Sequence, residues 1–501
     1  MSSATQVPGD MTAAAAASAN VFPVVTRLAA DLHTPASAYL RIAAGAESSF
    51  LFESVERGER VGRYSFIGAR PHAILRGRGG TTTITDAAGA VRTVPLPATE
   101  VLREHFSCYR LLQDPSLPPF TGGAVGYLGY EAARWFEPAL NFLSPRDGAN
   151  DAVVMLYRTI AAFDHVKQQM VLTTLVFADE TDGTSAGLAR ARQDAAAVND
   201  RLARVLESAM APLKLSAVAE GAPEPLPITS NWPRADFENA VRSVQEHIAA
   251  GDCYQAVLSR RIDTKVSASA VDIYRALRAT NPSPYMFLFC SPEEAVIGSS
   301  PEMLVRCRGR LVEYSPIAGT RPRSADREED ERLAEELRND EKETAEHIML
   351  VDLGRNDVGR VSEYGSIEVE SLMAIEKYSH VQHLVTRVSG TLREGLTAWD
   401  ALASCFPAGT VSGAPKIRAM QIIHELEPEA RGVYAGAVLY GDYAGNLDSC
   451  ITIRTVHLRD GVASVQAGAG IVADSVPSCE YEETSNKAQA LLSALSLAVR
   501  S

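Results

Sequence analysis

The amino-acid sequence predicts an α+β fold, with antiparallel β-sheets and helices packed outside them. Strand-like runs often follow one another directly, which suits antiparallel pairing better than the strand–helix alternation of a parallel sheet. No repeat of 20–50 residues is evident, so a solenoid or propeller is not expected. The length of 501 residues, with 46% hydrophobic and 22% charged residues, is ordinary for a globular chain of two or three domains.

The elements follow in order. Residues 1–21 read as a disordered Ala-rich tail whose Ala run adds at most a marginal helix, and Met11 is an alternative start. No Lys or Arg precedes Arg27, so the basic region of a signal peptide is missing. From 22 to 209 the pattern is mixed. Short β-like runs at Ser49–Ser54 (SFLFES), Tyr64–Ile67, Ala152–Phe163 and Met170–Phe177 precede a long Ala/Arg-rich helix ending near Ser208. Residues 210–232, rich in Pro, Gly and small side chains, read as a linker. The region 233–501 opens with a helix over Asp236–Ala250 that ends at Gly251, a C′ glycine. A strand over Cys253–Ile262, a helix over Val271–Thr280 and strands at Met286–Phe289 and Ala295–Ile297 come next. One long helix is expected over Arg327–Leu353. Strands at Ala435–Tyr440, Ile451–Leu458 and Ala463–Ala467 lead to a closing helix over Tyr481–Val499.

A net charge of -14 argues against nucleic acid, which needs a basic face, but leaves room for a cationic pocket that takes a small anion. The seven cysteines are odd in number, lack a C-x-x-C and sit among apolar neighbours. They read as packed thiols of a reducing cytoplasm, with no zinc ligation expected. No 18-residue apolar span occurs, so no membrane partner is expected.

Two acidic pairs share one spacing. Glu343 and Glu346 in NDEKETAEHIML stand three apart on a helix, and so do Glu480 and Glu483 in EYEET. Two such pairs on separate helices can converge on a hard cation, and Mg²⁺ suits an all-oxygen site. The plainer readings stay open: a solvated acidic face for the first pair, dipole-favoured acids in a first helical turn for the second. The apolar run after Glu346 turns the first pair toward the core. PAGTVSGAPK (Pro407–Lys416, including Thr410) reads as an ordinary turn or as a backbone anion cradle. It is no Walker A loop, because Ala414 stands where the second Gly belongs. Gly468 and Gly470 in QAGAGIVAD permit close approach of a ligand to the backbone, or simply a tight turn. Arg454, read as mid-strand in ITIRT among Ile451, Ile453 and Val456, needs a carboxylate, either the ligand's or the protein's own.

Taken with GDCYQAVLSRR (251–261), NPSPYMF (281–287), GSSPEML (298–304), SPIAGTRPR (315–323), EHIMLVDLGRND (346–357), YSHVQHLV (378–385) and RGVYAGAV (431–438), these segments identify a resemblance. Residues 230–495 resemble the chorismate-utilising enzymes, closest to their ammonia-adding, anthranilate-forming branch. The N-terminal half matches mainly through LFESVERGERVGRYSFIG (51–68). The resemblance implies two antiparallel β-sheets packed as a sandwich with helices outside. It also implies a chorismate-binding catalytic domain at 233–501 and an N-terminal region with a regulatory site at 22–209. Ammonia would add to chorismate with loss of the 4-hydroxyl, and loss of pyruvate would then give anthranilate, the first committed step toward tryptophan. The family's Mg²⁺ lands on Glu343, Glu346, Glu480 and Glu483, with Glu346 and Glu483 as principal ligands and Glu343 as a water-mediated partner. Chorismate is expected on Gly319, Thr320, Thr410, Tyr434, Arg454, Gly468, Ala469, Gly470 and Lys487. Glu302 would be the general acid for the departing hydroxyl, and His383 would assist removal of the ring proton. Lys416 is read either as neutralising local acids or as structural.

Two positions and one regulatory site choose the branch. Water-adding relatives carry a lysine base where this chain has Gln255, which cannot serve as a base. Many folate-branch synthases carry a lysine nucleophile where this chain has Ala318; some lack it, so that branch stays open, as does a catalytically dead tryptophan-binding homologue. Tryptophan-inhibited members bind tryptophan between two segments that correspond here to Leu51–Ser54, with Phe52 in place of a Leu, and Pro284–Met286. The inhibitor contacts would be Ser54, Pro284, Tyr285 and Met286. The chain has no G-x-C-x-G glutaminase elbow, so ammonia is expected from a separate glutamine amidotransferase subunit, in a heterotetramer, with free ammonia as a bypass.

Overall fold

The computed structural model describes residues 19–54, 62–145, 148–208, 225–377 and 381–499. The expected tail lies almost wholly outside these residues, as do residues 210–224 of the linker.

Two twelve-stranded antiparallel sheets form the body. From edge to edge the first runs Val21–Ala29, Gln169–Phe177, Thr159–Asp164, Tyr64–Ala69, Ser49–Glu53, Tyr285–Cys290, Ala295–Ser300, Thr455–Arg459, Val462–Ile471, Gln255–Lys265 and Thr229–Ser230, with Gly413–Ala414 bridging to Gln255–Lys265. The second runs Ile317–Pro322, Val381–Thr391, Leu311–Tyr314, Met303–Arg308, Leu447–Ile451, Ala437–Asp442, Gly123–Leu128, Ala152–Tyr157, Ala73–Arg78, Thr81–Asp86 and Val91–Val94, with Glu368–Lys377 also pairing to Val381–Thr391.

The sheets pack face to face over an aromatic core. Phe50, Phe66, Phe287 and Phe289 come from the first sheet, Tyr127 and Tyr157 from the second. Phe50 and Tyr157 meet edge to face at 4.9 Å, an arrangement worth about 0.5–1.5 kcal/mol beyond the area buried. The outer faces carry the helices. Ile273 and Leu277 of the helix Ala270–Thr280 and Leu491 and Leu495 of Pro477–Val499 cover the first sheet, while Leu102 and Leu402 cover the second. Strands buried on both faces cannot alternate in polarity, which is why Ala152–Tyr157 reads AVVMLY with every residue buried.

The division at 210–232 does not divide the sheets. Ser49–Glu53 pairs with Tyr285–Cys290 (Leu51 opposite Leu288), and Gly123–Leu128 pairs with Ala437–Asp442 (Gly126 opposite Leu439). Each half covers an edge that the other would leave open.

Three sequence expectations need correction. Ala152–Phe163 is two strands, Ala152–Tyr157 in the second sheet and Thr159–Asp164 in the first. Ile451–Leu458 is likewise broken, between Leu447–Ile451 in the second sheet and Thr455–Arg459 in the first, so Arg454 lies in a crossover and not mid-strand. Periodicity within a run cannot reveal where the chain steps between layers. The helix expected over Arg327–Leu353 is two, Arg327–Asn339 and Glu341–Gly359. Asp340 leaves the helical region between them (ψ 113°), and its carboxylate accepts from the N–H groups of Lys342 and Glu343, so it starts the second helix. The remaining long elements lie where the sequence puts them, within a few residues, and Gly251 takes the expected left-handed conformation at φ +82°.

Candidate active site

Residues of both sheets and of the helices Glu341–Gly359 and Pro477–Val499 enclose a cleft of about 410 Å³, inside the roughly 300–1,000 Å³ range of small-molecule sites. Its floor is the glycine end of the strand Val462–Ile471. A Cβ on Gly468 would come within 2.7 Å of the Tyr434 hydroxyl, and one on Gly470 within 2.3 Å of the Gln255 amide nitrogen. Glycine here answers to space rather than to backbone conformation, and it leaves the strand bare where it faces the cleft. Ala469, between them, turns its methyl to the opposite face, against Ala256 and Leu258, so only its backbone is placed toward a ligand.

Glu302 and Arg454 occupy the two points where the chain steps from one sheet to the other. Glu302 lies between Ala295–Ser300 and Met303–Arg308, Arg454 between Leu447–Ile451 and Thr455–Arg459. The crossovers are tied together: the Ile451 N–H donates to Glu302 O (3.0 Å) and the Ser299 N–H to Arg454 O (3.1 Å). Arg454 has φ +48°, a left-handed conformation that costs a non-glycine residue on the order of 1–3 kcal/mol and that gathers at functional sites. Its guanidinium makes no hydrogen bond or ion pair with the described residues, and burial lowers its pKa. A largely desolvated cation without a partner, facing the cleft, calls for an anion. Glu302 is buried with Oε1 unpartnered. Burial pushes its carboxyl up to about 8, against smaller opposing effects of the nearby Thr410 hydroxyl, Arg454 and Lys487. At neutral pH it therefore carries a proton, the state a general acid requires.

His383 stands on the strand Val381–Thr391, with Nδ1 2.8 Å from Gly319 O and 3.1 Å from the Thr320 hydroxyl. A carbonyl only accepts, so Nδ1 carries the hydrogen and Nε2 is the basic nitrogen. Burial, then the Gly319 contact and Arg454, leave its pKa below 6.5 overall, with burial the largest influence. The ring is neutral at pH 7. Gly319 sits at a bulge with φ +64°, where a Cβ would meet Leu337 at 2.7 Å and Glu343 at 3.1 Å.

All four paired glutamates line the cleft. Glu343 is 3.4 Å from Arg321, and Glu346 accepts from the Gln255 amide at 3.4 Å. Burial and then the charge of Glu343 raise the Glu346 pKa. Glu480 is buried and is raised by burial, with a hydrogen bond from Ser475 opposing and Glu483 adding. Glu483, half-exposed, pairs with Lys487 at 2.7 Å, and Lys487 also donates to Gly468 O at 3.0 Å. Within each pair one carboxylate raises the other, and such all-oxygen donors have the chemistry of a hard divalent cation, which would relieve that repulsion. Among the described residues, however, no three acidic, histidine or cysteine side chains are set to ligate one ion. Thr410, Tyr434, Gly319 and Thr320 also line the cleft, and Lys416 does not: it pairs with buried Asp357 at 2.7 Å, a structural role. An outer vestibule adds Asn281 and Ser283, from the segment NPSPYMF, and Asn486, none of which sequence analysis gave a role.

The other four candidates meet elsewhere. Ser54, Pro284, Tyr285 and Met286 line one compact cavity with Phe52, Arg306 and Asp448, and the Ser54 hydroxyl is buried without a partner. Sequence reasoning missed the Arg306–Asp448 pair there (2.8 Å), since no spacing links residues so far apart. Asp448 also accepts from the Tyr285 hydroxyl at 3.2 Å.

Residues 47–493 match the family model described as chorismate binding enzyme. The chain is 45% identical over 493 residues to anthranilate synthase component 1 of Pseudomonas putida, covering 97% of each chain. It is 46% identical over 492 residues to the protein of that name from Streptomyces coelicolor, covering 96% of this chain and 91% of the relative. The solved anthranilate synthase component I of Streptococcus pneumoniae superposes with a TM-score of 0.73 at 36% identity, over 93% of this chain and 98% of that one. The menaquinone-specific isochorismate synthase of Escherichia coli, at 21% identity and a TM-score of 0.67 over 95% and 94%, shares the fold.

Proposed function

The chain belongs to the chorismate binding enzyme family, and on that premise we propose that it converts chorismate and ammonia to anthranilate and pyruvate. The observation that carries this reading is the pairing in one cleft of a protonated acid, Glu302, with an unpartnered cation, Arg454. Gln255 in the same cleft cannot activate water, and Ala318, buried at its wall, cannot attack the ring. Ammonia needs neither kind of help.

Arg454, the Tyr434 hydroxyl and the bare backbone of Gly468–Gly470 receive the enolpyruvyl carboxylate, while Thr320 and Gly319 wall the ring. Glu302 gives its proton to the departing hydroxyl, which would otherwise leave as hydroxide. Nε2 of His383 takes the ring proton as pyruvate is lost. Mg²⁺ on Glu346 and Glu483, backed by Glu343 and Glu480, would supply charge neutralisation to the ring carboxylate.

The compact cavity supports a second site, for tryptophan as inhibitor, with the Ser54 hydroxyl as a waiting polar contact. Asn281 and Ser283 line the vestibule, and Pro284–Met286 line this cavity, so one short segment borders both. Ammonia in this reading comes from a separate glutamine amidotransferase subunit, in a heterotetramer. No helix among the described residues is long and apolar enough to cross a membrane.

The test is purified chain with chorismate, Mg²⁺ and ammonium salt at high pH. Anthranilate and pyruvate in equal amounts are expected. Accumulated aminodeoxychorismate, or no turnover, overturns the reading.

A further inference from the structure

The wall of the chorismate cleft has a buried support behind it, and part of that support comes from the N-terminal half. Arg431 stands behind Tyr434, its side chain 1% exposed. Its Nη1 donates to Val411 O at 2.7 Å and its Nη2 to Val257 O at 2.6 Å. Nε and Nη2 also hold Glu427, at 2.9 and 2.6 Å, and Glu427 in turn accepts from the Ser259 N–H at 2.8 Å. Val257, Thr410, Val411 and Tyr434 all line the cleft. One guanidinium therefore ties the strand Gln255–Lys265 to the turn Gly409–Val411, and its planar fork fixes both directions at once. It also packs over the Tyr434 ring, with its central carbon 5.7 Å from the ring centroid.

Two neighbouring residues of the N-terminal half hold Arg431 in place. Tyr130, 2% exposed, offers its ring to the same guanidinium, with 4.6 Å between the central carbon of Arg431 and the ring centroid. The Tyr130 N–H donates to Gly432 O at 2.8 Å. The Glu131 carboxylate accepts from the N–H groups of Arg431 (2.7 Å) and Gly432 (3.0 Å). Glu131 is buried as well, so this clamp on the 431–432 turn works away from water, where such bonds are strong. Gly432 turns the chain at φ +65°, and Tyr434 follows two residues later, its hydroxyl against the bare backbone of Gly468. The Tyr130 hydroxyl makes no hydrogen bond with the described residues, so the ring, and not the phenol, is what Arg431 meets.

We infer that Tyr130 and Glu131 are positioning residues for chorismate: they hold Arg431, and Arg431 sets Tyr434 where its hydroxyl meets the substrate carboxylate. The inference rests on the reading above, in which Tyr434 receives the enolpyruvyl carboxylate. It gives the N-terminal half a part in substrate binding. Neither residue lines the cleft itself, so the effect passes through Arg431. Without the Tyr130 ring the guanidinium keeps only one of the two rings it packs over and gains room to swing away from Tyr434. The Tyr434 hydroxyl then samples more than one direction and binds the carboxylate less tightly. Binding lost equally from the ground and transition states raises KM and leaves kcat as it was.

The experiment compares Tyr130→Leu, which removes the ring, with Tyr130→Phe, which keeps it. Steady-state kinetics with Mg²⁺ and ammonium salt give KM and kcat, and calorimetry with Mg²⁺ but no nitrogen source gives the chorismate Kd. Tyr130→Leu is expected to raise KM and Kd about tenfold, the equivalent of roughly 1.4 kcal/mol, with kcat within about twofold of the unaltered chain. Tyr130→Phe is expected to match the unaltered chain. In a Tyr434→Phe background, Tyr130→Leu is expected to cost less than about threefold, since the hydroxyl it acts on is already gone. A purely structural Tyr130 would lower the melting temperature and leave KM and Kd alone, and that result overturns the inference. So does the full effect in the Tyr434→Phe background, or Tyr130→Phe binding chorismate as weakly as Tyr130→Leu. Should Tyr130→Leu fail to fold, Glu131→Gln takes its place. It leaves one acceptor oxygen for two N–H groups, the same rise in KM and Kd is expected, and normal values there overturn the inference. If the unaltered chain makes no anthranilate, the proposed function fails instead, and the calorimetric comparison still decides the inference.

Discussion

In the proposed mechanism Glu302 and His383 set the pH range in which the chemistry can run. Glu302, pushed up by burial to about 8, is protonated below that value and ionised above it, so its acid function fails as pH rises through about 8. His383, lowered beneath 6.5 chiefly by burial, is a neutral base until pH falls below that value. We expect kcat with the glutamine-fed complex to hold between these limits and to fall on either side. Supplying ammonia through the partner matters, because ammonium salt adds a titration of its own. Glu302→Gln should lower kcat by about 10²–10⁴-fold and remove the alkaline limb; a profile with that limb intact would assign the acid to another group. Glu346→Gln and Glu483→Gln should each weaken Mg²⁺ binding by calorimetry and cripple Mg²⁺-dependent turnover without unfolding the chain. Retained turnover with unchanged Mg²⁺ dependence rejects the metal assignment.

Among the elements, the crossovers do the most. The Pro301–Glu302 and Thr452–Arg454 links hold both central side chains, and Ser299 ties them to the segment that lines the compact cavity. The Ser299 hydroxyl contacts Ser283 at 2.9 Å and bonds the carbonyl of Asn281, while its N–H holds Arg454 O. Pro284–Met286, which line that cavity, follow directly. In the proposed reading, a shift of this segment on tryptophan binding has a hydrogen-bonded route to Arg454. Ser54→Phe, which fills the compact cavity proposed for tryptophan, is expected to abolish inhibition and the thermal shift on adding tryptophan. Ser299→Ala is expected to keep tryptophan binding and weaken inhibition, separating contact from transmission. Equal inhibition of Ser299→Ala and unaltered enzyme would exclude this route.

The whole molecule is one sandwich assembled from two halves of the sequence. Separating the halves would expose Ser49–Glu53 and Gly123–Leu128 as long apolar edges. Residues 19–208 expressed alone should therefore aggregate, and co-expression with 225–501 should restore soluble protein. The intact chain should unfold by urea with coincident fluorescence and circular-dichroism transitions, since Trp135 lies in one half and Trp232 and Trp399 in the other. Two separated transitions would show independent domains.

Much of this was legible in residues alone. Antiparallel sheets followed from strand-after-strand order, and the helices Ala270–Thr280 and Pro477–Val499 from their apolar spacing. The paired glutamates, Gly468, Gly470 and Glu302 were recognisable because their motifs are local and long. Other features depended on distance in space. Arg454 looked like a strand residue because an apolar run carries no mark of a step between sheets, and the acidic helix looked continuous because Asp340 suits a helix surface as well as a cap. Ser299 stood in a quoted segment without a role of its own, and the Arg306–Asp448 pair gave no signal at all: their meaning comes from neighbours tens to hundreds of residues away. Local pattern settles which face of an element is buried, through the periods of strand and helix. Which two buried faces meet, and what cavity remains between them, is decided only when the sheets close on each other.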